Sequence, residues 1–163
     1  MLDLNTGEIL LLNGTVGLRP QMSLTEFQAT PLFPLSRECG PIDQRFRIDF
    51  ATPSLVFLGA RFSFHFYFTN EILTGIHLTV DRQEPVTGWW SALRKLLDRM
   101  GLLNSTTASE AKIAAEEAKA FDDEWLQRAI GQSCSVKYYP PWGEIRSEYD
   151  EERVGAWIAI NYA

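Results

Sequence analysis

The sequence has few of the residues from which catalytic and metal sites are most often built. It contains two cysteines, Cys39 and Cys134, and two histidines, His65 and His77, in 163 residues. The cysteines are far apart and match no C-x-x-C or zinc-ligand spacing, so we expect each to be a buried free thiol. No Asp, Glu or Cys is placed by the sequence to complete a metal site with the histidines. We therefore predict no metal ion and no cofactor.

The sequence also lacks segments that would direct a chain to a membrane. Residues 1–5 carry no positive charge, and Asp3 and Glu8 interrupt the only early apolar stretch, so no secretory signal is predicted. There is no run of about 18 apolar residues of the kind that spans a bilayer. These absences predict a cytoplasmic protein with no membrane partner.

Basic residues are in the minority. Fifteen Lys and Arg against 21 Asp and Glu give a formal net charge of −6. Phosphate binding needs clustered basic residues, which argues against a protein whose main role is to hold nucleic acid. Tyr67 and His65 beside Arg61 would form a small base-stacking platform on a strand, but no RNP-like motif accompanies them. We predict no nucleic-acid partner.

The common catalytic motifs are missing as well. There is no P-loop, G-x-G-x-x-G, H-E-x-x-H or EF-hand loop. The surroundings of Cys134 superficially resemble a nucleophile elbow, but a predicted helix precedes it, and its alternation with Val136 and Tyr138 indicates an inward strand residue. The acidic run 122–124 cannot converge on one substrate atom, because consecutive helical residues point about 100° apart, and is expected to be solvated. We predict that the protein is not an enzyme and has no catalytic residues.

What the sequence does contain is a strong β pattern in its middle. From Arg61 to Phe68, phenylalanines alternate with more polar residues, and residues 72–80 repeat the alternation after a turn. The apolar rows of both strands consist of even-numbered residues. If they share one face of the sheet, the residue numbers of two directly paired residues must add up to an even value, as for Phe64 opposite Ile76 or Leu78. The same register puts both histidines on the other face, as direct neighbours if Thr69 pairs with Leu73. An earlier strand, residues 46–50, is expected alongside.

Helix signals surround this unit. Ser23 and Glu26 form a capping box for a short helix, residues 89–100 have helical apolar spacing before Gly101, and a second long helix is predicted over about 108–130. A final β unit is predicted over 133–139, 143–149 and 156–162. Together these elements indicate a single α+β domain, residues 1–163, with a mainly antiparallel β-sheet of about six or seven strands packed against two longer helices.

The negative charge is concentrated in the C-terminal part. Residues 105–163 carry eleven acidic and six basic side chains, whereas residues 1–104 carry ten and nine. The plain interpretation is a solvated face that keeps the protein soluble. The functional interpretation is an acidic surface that steers a basic protein partner.

Both ends of the chain resemble a group of small bacterial proteins. The residues concerned are the ending YPPWGEIRSEYD at 139–150 with IAINY at 158–162, and the opening DLNTGEI at 3–9, around a central hairpin followed by a Trp-bearing helix. The group includes immunity proteins of polymorphic and contact-dependent toxin systems. The resemblance implies a non-enzymatic cytoplasmic protein that binds and neutralises a cognate protein toxin, and the acidity suits a basic toxin domain.

The residues predicted to contact such a partner are the acidic side chains expected to be exposed, together with one tryptophan that follows a Pro pair. They are Glu116, Glu117, Asp123, Trp142, Glu148, Asp150, Glu151 and Glu152. For Trp142, a place in the core is the competing interpretation. Two other functions stay open: a small-ligand-binding module with a pocket between the Phe-rich sheet and the helices, and a self-assembling accessory module. The sequence leaves the oligomeric state open.

Overall fold

The computed structural model describes residues 1–39, 47–81, 107–130, 137–150 and 155–163. These residues form ten strands and two α-helices. The strands are β1 (Ile9–Leu11), β2 (Val16–Leu18), β3 (Arg37–Glu38), β4 (Arg47–Ala51), β5 (Leu55–Phe57), β6 (Ala60–Thr69), β7 (Ile72–Val80), β8 (Lys137–Tyr138), β9 (Gly143–Asp150) and β10 (Gly155–Tyr162), and the helices are α1 (Leu24–Gln28) and α2 (Thr107–Ile130).

The main sheet has eight strands and is antiparallel throughout. Its order is β3-β4-β6-β7-β10-β9-β8, with β5 paired to the start of β6, while β1 and β2 form a separate hairpin. The predicted α+β class and antiparallel sheet are confirmed, but the main sheet has one strand more than the six or seven expected. The predicted helix at 89–100 lies outside the described residues, so α2 is the one long helix that the described residues contain.

The register of the central hairpin follows the even-sum rule over most of its length. Phe64 faces Leu78, and His65 faces His77. The two histidines are therefore direct neighbours, although the pairing of Thr69 with Leu73 that would continue this register does not form, because Thr69 faces Ile72. Asn70 and Glu71 both have positive φ, +51° and +64°, which is the conformation of the tightest two-residue hairpin turn. A β-bulge between Tyr67 and Phe68 then restores the even register.

The phenylalanine row of β6 is the centre of the core. Phe62, Phe64, Phe66 and Phe68 are all fully buried. The short helix α1 covers one end of the row through Phe27, whose ring lies 5.2 Å from Phe68 and 5.3 Å from Phe66. The predicted capping box is present: the Ser23 Oγ accepts from the Glu26 N–H, and the Glu26 carboxylate accepts from the Ser23 N–H. It fixes the start of α1 and therefore the position of Phe27.

The long helix α2 covers the other end of the row. Its Trp125 packs against Phe62 with ring centroids 4.9 Å apart. The buried stripe includes Ala115, Asp122 and Leu126. The prediction that the whole acidic run 122–124 is solvated is wrong for Asp122, which is fully buried because the stripe passes through position 122 at helical spacing from 115 and 126. Both described helices lie on the phenylalanine side of the sheet.

The two ends of the described chain are joined by a cluster that we call the end clasp: Leu4, Gly7, Trp142 and Tyr162. The Trp142 indole N–H donates to the Leu4 carbonyl at 2.9 Å, and the Tyr162 hydroxyl donates to the Gly7 carbonyl at 3.1 Å. Burial raises the pKa of Tyr162, so its hydroxyl keeps the proton that it donates. Gly7 has φ +75°, and an added Cβ would lie 2.5 Å from the Trp142 ring.

Two other predictions concern the cysteines and membrane-spanning segments. Cys39 is a free thiol but is exposed rather than buried, because it follows the edge strand β3, whereas Cys134 lies outside the described residues. In the described part of the chain, neither helix combines the length and apolar character needed to cross a bilayer.

Candidate binding surface on the polar face of the sheet

The side of the main sheet opposite the phenylalanine row carries a connected group of polar and aromatic side chains, which we call the polar face. Alternation along each strand places its members there, since every second residue points away from the core. They are Arg47 and Asp49 of β4, His65 and Tyr67 of β6, His77 of β7, Arg146 of β9 and Trp157 of β10.

The centre of the polar face is a tyrosine–histidine–tryptophan stack. The Tyr67 hydroxyl and the His77 Nδ1 are 3.1 Å apart and form a hydrogen bond. On its other side, the His77 ring stacks on Trp157, with centroids 5.9 Å apart and planes inclined by 21°. The residue directly opposite Tyr67 is Gly75, where an added Cβ would be at an ordinary van der Waals distance of 3.7 Å from the Tyr67 ring.

One side of the stack ends in an ion pair. The Arg47 guanidinium lies over the Tyr67 ring, 4.2 Å from its centroid, and its Nε donates to the Asp49 Oδ1 at 3.0 Å. Asp49 is only 1% exposed, and its Oδ2 has no hydrogen-bond partner among the described residues. A buried carboxylate with one unsatisfied oxygen is costly unless another group pairs with it.

The other side ends on β9. Arg146 lies two strands from His77, with the small Ala159 between them in the register, and forms ion pairs with Glu144 at 3.6 Å and with Glu148. The neighbouring Trp157 has a buried indole N–H without a hydrogen-bond partner among the described residues. The polar face therefore holds an unsatisfied donor at this end and an unsatisfied acceptor at the Asp49 end.

The surroundings of His77 keep it neutral. Burial is the main cause that lowers its pKa to about 4, and Arg47, His65 and Arg146 contribute to the same lowering. Burial also raises the pKa of Tyr67, and the nearby Asp49 adds to that rise. At neutral pH the pair therefore consists of a neutral imidazole and a protonated phenol, an arrangement suited to holding a fixed hydrogen bond.

The acidic residues predicted to bind a partner do not form one surface. Glu116 and Glu117 are exposed on α2, on the phenylalanine side of the sheet, and Asp123 pairs with Lys119 at 2.5 Å. Glu148 and Asp150 are half-buried on β9 and point to the polar face instead. The structure thus divides these acidic residues between the two sides of the sheet.

The remaining predicted contact residues have different positions. Trp142 is half-buried in the end clasp, where its ring packs 5.7 Å from that of Tyr162. Glu151 and Glu152 lie outside the described residues. The three residues considered for base stacking all point away from the phenylalanine row. Tyr67 and His65 belong to the polar face, and Arg61 is exposed further along the same side, at the start of β6 and opposite Val56 of β5.

Sequence reasoning missed four members of the polar face, namely Arg47, Asp49, Arg146 and Trp157. The signal was available, because the inward placement of Ile48 and Phe50 requires Arg47 and Asp49 to point outward. The same alternation applies to the last strand. Because the Ile158 side chain points into the core, the Trp157 side chain points to the other face of the sheet. What the alternation does not show is which strands become neighbours, and it is the order β4-β6-β7-β10-β9 that assembles the group.

Comparison with protein-family models, with curated proteins and with solved structures finds no match to this chain. Within the described residues, no three His, Cys, Asp or Glu side chains lie close enough together to hold a metal ion.

Proposed function

We propose that this protein is a non-enzymatic cytoplasmic inhibitor that binds a cognate protein toxin through the polar face. The observation that carries the proposal is the connected group that the half-buried Arg47, Tyr67 and Trp157 form with His77 on one side of the sheet. Arg, Tyr and Trp are the residues most enriched at the energetic centres of protein interfaces. Both described helices are on the opposite side, so neither of them covers this face.

Three half-buried side chains offer the contacts that a partner would make. The Arg47 guanidinium, whose side chain is 30% exposed, would pair with an acceptor of the partner. The accessible parts of Tyr67 and Trp157 would pack against the partner's apolar groups. The pKa of His77, near 4, disfavours proton transfer at neutral pH and suits a fixed element of a recognition surface.

The acidic residues on both sides of the sheet would attract a basic partner, which supports a toxin domain of positive charge. Charges act on an approaching partner over roughly 8–10 Å at physiological salt, so they need not lie in the contact itself. On α2, Lys112 and Lys119 partly neutralise Glu116 and Asp123. We therefore assign α2 a role in steering and the polar face the role of contact.

The test is binding to each protein encoded by the adjacent genes, measured by calorimetry with purified proteins, with rescue of growth when the toxic one is co-expressed. One of them should bind, and Trp157→Ala should weaken binding by about tenfold or more. Ile113→Ala, an exposed apolar residue on α2, is the matched control and should change nothing. The double variant Glu116→Lys, Glu117→Lys should slow association at low salt and leave dissociation nearly unchanged.

Two results would count against the proposal. If no adjacent gene product binds, the assignment as a toxin inhibitor is wrong. If one binds but Trp157→Ala and Tyr67→Ala both bind as the wild type does, the inhibitor assignment stands and the polar face is not the contact surface.

A further inference from the structure

A separate cleft of 460 Å³ lies at the C-terminal end of α2. The described residues that line it are Met1, Leu2, Leu58, Trp125, Arg128 and Ala129. It lies on the side of the sheet that α2 covers, away from the polar face. Its volume is within the range of about 300–1,000 Å³ that small-molecule sites occupy.

The floor of the cleft is rigid. Trp125 is 4% exposed, and its ring is held between those of Phe57 and Phe62, at 5.7 and 4.9 Å. Ala129, one helical turn further on, adds a small apolar wall. A ligand would therefore meet a preformed apolar surface and would not have to order it on binding.

One charged side chain, Arg128, lines the cleft among the described residues. It is 64% exposed, and its contacts are long: 3.8 Å to the Glu124 carboxylate and 3.5 Å from its Nε to the Glu124 carbonyl. Such an exposed pair holds the guanidinium weakly. Arg128 is therefore free to turn towards an anion at the mouth of the cleft.

Leu58 supplies an independent sign that the cleft is used. It occupies the first position of the turn between β5 and β6 with φ +46°, followed by Gly59 with φ +81°. Asn, Asp and Gly are the residues suited to this conformation, and a leucine there costs stability. The Leu58 side chain is nevertheless 44% exposed and lines the cleft. A costly and exposed apolar residue at such a place is most simply explained by contact with a ligand.

We infer that this cleft binds a small amphipathic carboxylate, an alkyl chain of medium length whose carboxylate pairs with Arg128. The chain lies between Leu58 and the Trp125–Ala129 floor, with Leu58 closing over it. The apolar lining disfavours a fully polar metabolite. Arg128 selects the anionic head over a neutral or cationic one, and the Met1 ammonium, which donates to the Leu10 carbonyl, adds to the positive charge at the cleft. This inference is independent of the proposed toxin binding.

The first experiment compares three probes with the same chain and different heads, namely decanoate, decanol and decyltrimethylammonium, each by calorimetry below its micelle concentration. Decanoate should bind at one site and more tightly than decanol by about tenfold, with the ammonium weakest. Arg128→Gln should remove most of the roughly tenfold preference for decanoate, whereas Arg37→Gln, an exposed arginine of β3, should preserve it. Equal binding of all three probes, or no binding of decanoate, overturns the inference.

The second experiment uses variants that should not harm the fold. Leu58→Asn suits the positive φ, so its thermal midpoint should equal or exceed that of the wild type while decanoate affinity falls by about tenfold or more. Leu35→Asn, which changes another exposed leucine, should leave affinity unchanged. Ala129→Phe should fill the cleft and block binding. Wild-type affinity in both Leu58→Asn and Ala129→Phe would show that the probe binds elsewhere and would overturn the assignment.

Discussion

His77 should make the stability of the protein depend on pH in a window where few other groups titrate. Its pKa is about 4 in the folded protein, against 6.5 for an ordinary histidine, because the side chain is largely buried beside positive charges. The unfolded chain therefore binds more protons between these two values, and the free energy of unfolding falls as the pH falls through the window. The stabilisation is fully present above the unfolded value.

The size of the effect follows from the two values. The free energy of unfolding should fall by about 2 kcal/mol when the pH is lowered from roughly 7.5 to 5. It should have fallen by about 3 kcal/mol when the pH reaches the folded pKa of about 4. The upper interval is the better one to measure, because most carboxylates stay ionised there. Urea unfolding at the two pH values gives the loss for the wild type, and His77→Gln should lose about 2 kcal/mol less.

A direct measurement complements the unfolding curves. The Cε1–H resonance of His77 should titrate with a midpoint near 4, and His65→Gln, which removes one positive neighbour on the facing strand, should raise that midpoint. A midpoint at the ordinary value of 6.5, or equal pH dependence in wild type and His77→Gln, would refute the reasoning from burial and from the arginines.

Three further predictions concern stability and share urea unfolding as the assay, with Leu35→Ala as a surface control that should change little. Ser23→Ala breaks the capping box of α1 and should cost about 1 kcal/mol, and Ser23→Asp should restore most of it. Gly7→Ala puts a Cβ against the Trp142 ring at a positive φ and should cost about 2 kcal/mol, with a shift in tryptophan fluorescence; an unchanged midpoint would mean that the end clasp is not formed. Phe64→Ala removes a fully buried ring between Phe57 and Phe66 and should cost about 3–5 kcal/mol, so a loss below about 1 kcal/mol would contradict the core described above.

The parts of the fold that were predictable depend on local patterns. The alternation in β6 and β7 determines the face of each side chain, and its parity correctly pairs Phe64 with Leu78. The capping box was predictable because Ser23 and Glu26 lie three positions apart in the chain and each accepts from the backbone N–H of the other. In both cases the interacting residues are adjacent in sequence or joined by a short turn.

The parts that were not predictable depend on distant contacts or on very short elements. Strands of two or three residues, such as β3 and β5, give too few positions for a period to be read. The bulge at Tyr67 arises because Asn70 and Glu71 form a two-residue turn with positive φ. Alternation alone does not specify the length of that turn. The burial of Asp122 and the assembly of the polar face both depend on which elements pack together, and no local pattern contains that information.

The end clasp also bears on how the protein is made. Gly7 and Tyr162, which it joins, are 155 positions apart. At roughly 5–20 residues per second, about eight to thirty seconds of synthesis pass before the partner of the N-terminal segment exists. β10 is last in sequence among the described elements, yet it lies inside the sheet, between β7 and β9. A nascent chain that stops before residue 155 therefore leaves the edge of β7 without its partner strand, so the complete main sheet can form only after residues 155–162 have been synthesised.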